Sequence, residues 1–363
     1  MTSRNQSRRV YDQTKPILEQ IGKAEADIVD VKPLLGRNVS GIYTFDDGLE
    51  IFVKRITGLG AEGRHFRSVS FENAVSRSDD STGMRAPKLI ASMPTHNLLA
   101  YSYVSNGAGF GKSIRDDEAT DGEFARVGRG LAALHRLAVT APELTDATAP
   151  FLPPSGPNAL SVNMYFGQTM GQLEMWRYIQ RDDVLRKALD VLVEPGEPAS
   201  RVPVHGDLRG DQILLTSNEC WIIDWEEFRL GDAARDIGAM LGEIFYHRMR
   251  SSITSLAVAS DSVTDRDVIE HGSRAIDEVV PKTRLLWESY LHAADAGSAT
   301  DDFVERCIGF FGWQLFDRAL ASGTFFGRIS ALDRALAGIG REAIVGGAAY
   351  GTTLGLSLEK RAA

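Results

Sequence analysis

The stretch from 202 to 238, VPVHGDLRGDQILLTSNECWIIDWEEFRLGDAARDIG, constrains this chain more than any other. A short apolar run ends in His205-Gly206-Asp207. A polar loop follows, then the run QILL, the turn residues TSNE and the run CWIID. Two apolar runs around a polar turn read as a hairpin. The hairpin returns Asp224 towards the end where Asp207 sits, so the pattern predicts two carboxylates at one spot. Such a pair suits phosphoryl transfer: one accepts the proton of an attacking hydroxyl, and the other holds a metal bridging the phosphates. Gln212, in the loop between them, can offer an amide oxygen to the same metal. A lone HGD reads as an ordinary surface loop; the second aspartate, the interleaved strands and GDAARDIG behind them carry the functional reading.

The rest of the chain predicts what surrounds this hairpin. Residues before about 30 are polar and read as a helix or a loose arm. The basic start, with Arg4, Arg8 and Arg9, lacks the apolar core of a signal peptide and reads as a solvated tail. Residues 41–45 and 49–56 are strand-like and flank Asp46-Asp47-Gly48, a hairpin signal. A helix near 66–78 and strands at 87–90 and 98–104 follow. Residues 106–121 are rich in Gly, Asp and Ser and read as a linker. Residues 123–137 carry apolar positions at helical spacing. A Pro-rich connection at 142–157, a helical stretch at 161–193, the strands of 202–225 and a helical remainder complete the order. This is an α+β chain of two lobes, with a small antiparallel sheet in 1–104 and a helical lobe in 105–363. A cleft between such lobes is a common ligand site.

The residues HGDLRGDQIL followed by IIDWE resemble the aminoglycoside phosphotransferase and choline kinase-like family, whose fold is protein-kinase-like. The resemblance spans residues 35–245. It implies ATP and Mg²⁺ as cofactors, Asp207 as catalytic base and Asp224 as metal ligand. Glu226 would help at the metal. Gln212 stands where the family has Asn, one methylene longer with the same donor oxygen. Asp236 resembles an aspartate that ties a helix start to the catalytic loop, a structural part. His135, in LAALHRL, reads as a packing residue.

In a kinase-like small lobe the third strand carries a Lys that contacts the α- and β-phosphates. Lys54, in LEIFVKRI, holds that place, although an isolated Lys there would read as a solvated edge residue. Its expected partner is a helix glutamate, Glu72, with Glu62 also nearby. Gly36, Asn38, Ser40 and Gly41 are small or polar residues whose backbone N–H groups suit phosphates; a plain hairpin turn is the alternative. Residues 101–105 would connect the lobes, with Tyr103 and Ser105 on the adenine edge. NGAGFGKS at 106–113 nearly matches a Walker A loop. Asn106 replaces its first glycine, and acidic residues follow where the helix should start, so it reads as a loop flanking the hinge.

Composition removes other classes. Of 363 residues, 43% are hydrophobic and 25% charged, enough for a sizeable core. The net charge of −9, without a basic stripe, argues against nucleic acid as partner. Two cysteines, Cys220 and Cys307, fit a reducing cytoplasm, not a disulfide framework. No apolar run spans a bilayer, so a membrane partner is not expected. For the acceptor, IIDWEEFRLGDAARDIG with WQLFDRALASG and ALDRALAGIGREAI resembles the kinase components of class V lanthipeptide and thioamitide pathways. That implies phosphorylation of Ser or Thr in a precursor peptide, followed by phosphate elimination by a separate lyase, a step of antibiotic biosynthesis. A kinase for a small-molecule acceptor (an aminoglycoside, sugar or amino alcohol) and a pseudokinase scaffold are the alternatives.

Overall fold

The computed structural model describes residues 3–34, 36–75, 83–139, 156–193, 201–259, 264–294, 300–347 and 349–356. The chain opens with helix α1 (Ser3–Gln20). Its Val10, Tyr11, Ile17 and Leu18 are buried and share one face by helical spacing. That face packs on Tyr43, Phe45, Ile51, Val53 and Leu98 of the small sheet. The Thr14 and Tyr43 hydroxyls meet at 2.6 Å beneath it. The polar start is therefore a docked helix and not a solvated tail; its apolar positions are few but fall on one stripe.

The small sheet is built from β1 (Ile28–Leu34), β2 (Val39–Phe45), β3 (Glu50–Arg55), β5 (Leu89–Met93) and β6 (Leu98–Ser102). Its order is β1-β2-β3-β6-β5, with every neighbour antiparallel. Gly48, at φ 82°, supplies the left-handed residue of the β2–β3 turn. Helix α2 (Ala61–Val75) and the short β4 (Met84–Arg85) lie between β3 and β5. The predicted helix extension over 76–78 lies outside the described residues.

Residues 106–121 are not a linker. They form β7 (Ala108–Gly109) and α3 (Phe110–Arg115), and Phe110 is fully buried edge-on to Phe124. The near-Walker lysine, Lys112, is 70% exposed and pairs with Asp116 at 2.6 Å. Helices α4 (Asp121–His135), α5 (Val162–Phe166), α6 (Met170–Gln180) and α7 (Asp183–Val193) follow. The Pro-rich stretch lies outside the described residues as far as 155. Then come β8 (Val202–Val204), β9 (Ile213–Leu215), β10 (Cys220–Ile222) and β11 (Arg229–Gly231). Helices α8 (Ala233–Ala259), α9 (Asp265–Ala293), α10 (Asp301–Phe326), α11 (Ala331–Gly346) and α12 (Ala349–Thr353) complete the chain.

The fold is two-lobed and kinase-like. A second sheet, β4-β10-β9-β7, and the pair β11-β8 sit on the helical lobe, with β4 running parallel to β10. The core of that lobe includes Trp287, Phe311 and Phe316. Helix α10 lies close to α8 because Gly238 has no side chain: a Cβ there would stand 2.4 Å from the Cys307 carbonyl oxygen. Both cysteines are free and buried; burial pushes the Cys220 thiol up to about 12 and Cys307 well above its ordinary value. Among the described residues no helix is long and apolar enough to cross a membrane.

Candidate active site in the interlobe cleft

Strand β8 delivers His205-Gly206-Asp207 into the cleft, and the loop is strapped from behind. Asp236, fully buried at the start of α8, accepts the His205 N–H at 2.6 Å and the Gly206 N–H at 3.0 Å. Its Oδ2 also lies 3.4 Å from His135 Nε2, and the other ring nitrogen of His135 meets the Tyr290 hydroxyl at 3.0 Å. Burial works against the Asp236 charge, but the His135 hydrogen bond and nearby positive groups hold its carboxyl below the ordinary range. Gly206 adopts φ 84°, and a Cβ there would stand 2.5 Å from the Glu227 carbonyl oxygen, so only glycine fits. The His205 ring bridges the two arms of the site: Nε2 lies 2.9 Å from the Ile223 carbonyl, and Nδ1 accepts the Asp207 N–H at 3.4 Å.

The β9–β10 hairpin brings the second aspartate to this loop. Ile213 faces Ile222, and the Ile223 N–H donates to the Gln212 carbonyl at 3.0 Å. Asp224 follows at φ 73°, a left-handed conformation uncommon outside glycine and a frequent mark of functional sites. Trp225 stacks on Phe71 of α2 with ring centroids 3.5 Å apart, which fixes the turn against the small lobe.

A cavity of about 820 Å³ lies between the lobes. Ile42, Phe52, Leu214 and Ile223 give it apolar walls, and Lys54, Asp207, Asp224 and Glu226 line its charged part. Lys54 stands opposite Ser40 in the β2–β3 register, so both face the same side of the sheet. The Lys54 ammonium pairs with Asp224 and with Glu226. Burial works against the Lys54 charge, but the two carboxylates hold its pKa above the ordinary lysine range. Burial likewise works against Asp224, and the Lys54 charge overcomes it, leaving that carboxyl below its ordinary range. Asp207 goes the other way. Its side chain is 54% exposed, so water tempers the effect, but partial desolvation by the cleft walls pushes its carboxyl up, Asp317 of α10 and Asp224 add to the rise, and Arg209, 3.3 Å away, opposes it.

Ser40 and Tyr103 line the cavity, whereas Ser105, expected on the adenine edge, is exposed and outside it. Two further expectations are corrected. The Glu72 carboxylate accepts the Leu89 N–H at 3.1 Å, so among the described residues the ion pairs of Lys54 are with Asp224 and Glu226. The Gln212 side chain is buried and turned back on its own loop, its Oε1 accepting the Arg209 N–H at 2.7 Å, and it does not line the cavity. Sequence reasoning missed Arg37 and Arg64, which reach Glu226, and Arg209 and Asp317, which set the field at Asp207. Only Arg209 carried a signal, its place two residues after Asp207.

A buried lysine between two carboxylates, with a third carboxylate lining the same cavity, is an arrangement suited to phosphoryl transfer. The chain belongs to the APH phosphotransferase enzyme family, whose model matches residues 47–259. Its fold is similar to that of ADP-bound aminoglycoside phosphotransferase APH(2'')-Ib, with TM-score 0.52 and 14% identity over 92% of this chain and 99% of that one. It is also similar to amicoumacin kinase hAmiN in complex with AMP-PNP, Ca²⁺ and Ami, with TM-score 0.52 and 12% identity over 93% and 96% of the two chains. No curated protein matches the sequence.

Proposed function

We propose that this protein transfers the γ-phosphoryl group of ATP to an acceptor hydroxyl, with Asp207 as base and Asp224 as ligand of Mg²⁺. The observation that carries the reading is the Lys54–Asp224 ion pair in the interlobe cavity, with Asp207 lining the same cavity. Adenine fits between Ile42 and Phe52 of the small lobe and Leu214 and Ile223 of the hairpin, near Tyr103. The phosphates then meet Lys54 and the turn at Gly36 and Asn38.

Asp224 suits a hard cation: its side chain is 34% exposed and faces the cavity. Among the described residues no three His, Cys, Asp or Glu side chains gather into a metal cage. Mg²⁺ needs none, since it is held by one or two carboxylates together with phosphates and water. When bound it neutralises the phosphates and steadies the leaving oxygen. The chain's own residues do the rest. Lys54 offsets phosphate charge. Asp207, 54% exposed, takes the hydroxyl proton as the new O–P bond forms and the bond to the bridging oxygen breaks. Its raised pKa strengthens it as a base.

For the acceptor we propose a Ser or Thr hydroxyl of a ribosomally made precursor peptide, with a separate lyase removing the phosphate afterwards. The resemblance of residues 222–238 and of two later helical stretches to ribosomal-peptide kinases supports it. A small cationic alcohol is the second reading, favoured by the Asp317 charge felt at Asp207. Two proteins of similar fold are named for small-molecule acceptors, an aminoglycoside phosphotransferase and an amicoumacin kinase. Purified protein with Mg–ATP, offered peptides and amino alcohols together, should show one added phosphoryl group on a single class by intact mass. Nucleotide binding without transfer to any acceptor would instead mark a scaffold. In the Asp224→Asn variant, calorimetry should show weakened Mg–ATP binding together with lost turnover.

A further inference from the structure

The ammonium of Lys54 has two carboxylates beside it, and they are not equivalent. Asp224 is 34% exposed and faces the cavity, whereas the Glu226 side chain is 7% exposed. Every side of the Glu226 carboxylate is taken. Oε1 faces the Lys54 ammonium and accepts from Asn38 Nδ2 at 2.5 Å. Oε2 lies 3.2 Å from Arg64 Nε of α2 and 3.2 Å from Arg37 Nη2. A carboxylate has about four lone-pair sites; here Asn38 and Arg37 donate hydrogen bonds, the Lys54 ammonium pairs with Oε1, and the Arg64 guanidinium stands beside Oε2 as a charge whose Nε makes no hydrogen bond among the described residues. Three of those groups are cationic. A metal ion arriving at Glu226 would have to displace one and would be repelled by the others.

We propose that Glu226 is the positioning residue of the phosphate-binding lysine and not a second metal ligand. It takes the part expected of a glutamate on α2. The inference rests on the kinase reading of this cleft. Glu226 belongs to the large lobe, and Asn38, Lys54 and Arg64 belong to three elements of the small one. One carboxylate therefore aims the ammonium and holds the β1–β2 turn over the place for phosphates. Asn38 extends the tie, since its Oδ1 accepts the Thr57 N–H at 3.1 Å beyond the end of β3. Metal binding is left to Asp224, whose side chain, among the described residues, is ion-paired with Lys54 alone.

The test compares wild type with Glu226→Gln and Asp224→Asn, and adds a cycle with Lys54→Met. Metal-free ADP binding is read by calorimetry. Aiming by Glu226 predicts that Glu226→Gln weakens it by at least about tenfold, because the ammonium no longer points at the phosphates. With Mg²⁺ present, Glu226→Gln should lower kcat by roughly 10–100-fold and leave the half-saturating Mg²⁺ concentration within about twofold. In the Lys54→Met background the same change should cost less than about twofold, because its effect passes through the lysine. Glu226→Asp, tested alongside with thermal melting, keeps the charge and should recover part of the loss. A raised Mg²⁺ requirement, unchanged metal-free ADP binding, or full additivity with Lys54→Met would each overturn the assignment. Wild type that binds no nucleotide would overturn the kinase reading itself, and this inference with it.

Discussion

At the scale of single residues, the three charges of the cleft separate by environment. Lys54 is held above its ordinary range and Asp224 below, so both keep their charge well beyond neutrality on the side that matters. Asp207 alone is pushed the other way, by partial desolvation in the cleft and by the charges of Asp317 and Asp224. A base must be deprotonated, so activity falls as pH drops through this raised value. The acid limb of the kcat/KM profile should lie above the usual carboxylate value of about 3.9. Replacing Asp317 by Asn removes a negative charge and should move that limb to lower pH; a pH–rate profile that stays put would exclude the coupling. Asp207→Asn should cost roughly 10²–10⁴ in turnover while isothermal titration still shows nucleotide bound. The sequence made the Asp207–Asp224 pair legible because both lie within one local hairpin, where spacing dictates position. Lys54 was legible from its place at the end of the third strand. The partner of Lys54 was not. Glu226 lies far from it along the chain, and Glu72 is the plausible choice until the direction of α2 is known. Gln212 was misjudged for a related reason: its oxygen is taken by the Arg209 N–H of its own loop, a contact that residue spacing does not announce.

Among elements, the loop before Asp207 is the most constrained. Gly206 is left-handed and pressed against the Glu227 carbonyl, and Asp236 gathers two of the loop's N–H groups. Gly206→Ala should therefore destabilise the fold by about 1–3 kcal/mol from backbone strain alone, with a further loss of turnover as the loop shifts; urea denaturation beside steady-state rates reads both. Helix α1 gives a second case. Leu18 is 1% exposed and packs against the sheet. Leu18→Ala should cost about 2–5 kcal/mol in chemical denaturation, whereas a solvated arm would show no change. The strands and the later helices followed the apolar periodicity of the sequence. The elements hardest to read, α1 and α3, are short on apolar residues or rich in glycine. Their stability comes from partners distant in sequence: the small sheet for α1, and the Gly210 backbone beside Gly111 for α3.

For the whole molecule, acid sensitivity has an identifiable source in the large lobe. Glu243 of α8 is buried among His247, Gln314 and Arg318. Burial opposes its charge, but the His247 hydrogen bond and the Arg318 charge bring its pKa down from 4.5 to about 2. A carboxyl depressed on folding stabilises the native state above its unfolded value and loses that contribution as pH falls through the folded one. The size at neutral pH is on the order of 3 kcal/mol. Denaturation midpoints should therefore drop steeply below about pH 4.5. Glu243→Gln should be less stable at neutral pH and lose less on acidification, as urea titrations at several pH values will show. The two sealed cysteines have a practical outcome of their own. A maleimide should find almost nothing to react with on the native protein, so one cysteine engineered at the fully exposed Leu59 would carry a dye without background. Fluorescence from that dye would report the opening and closing of the lobes in real time.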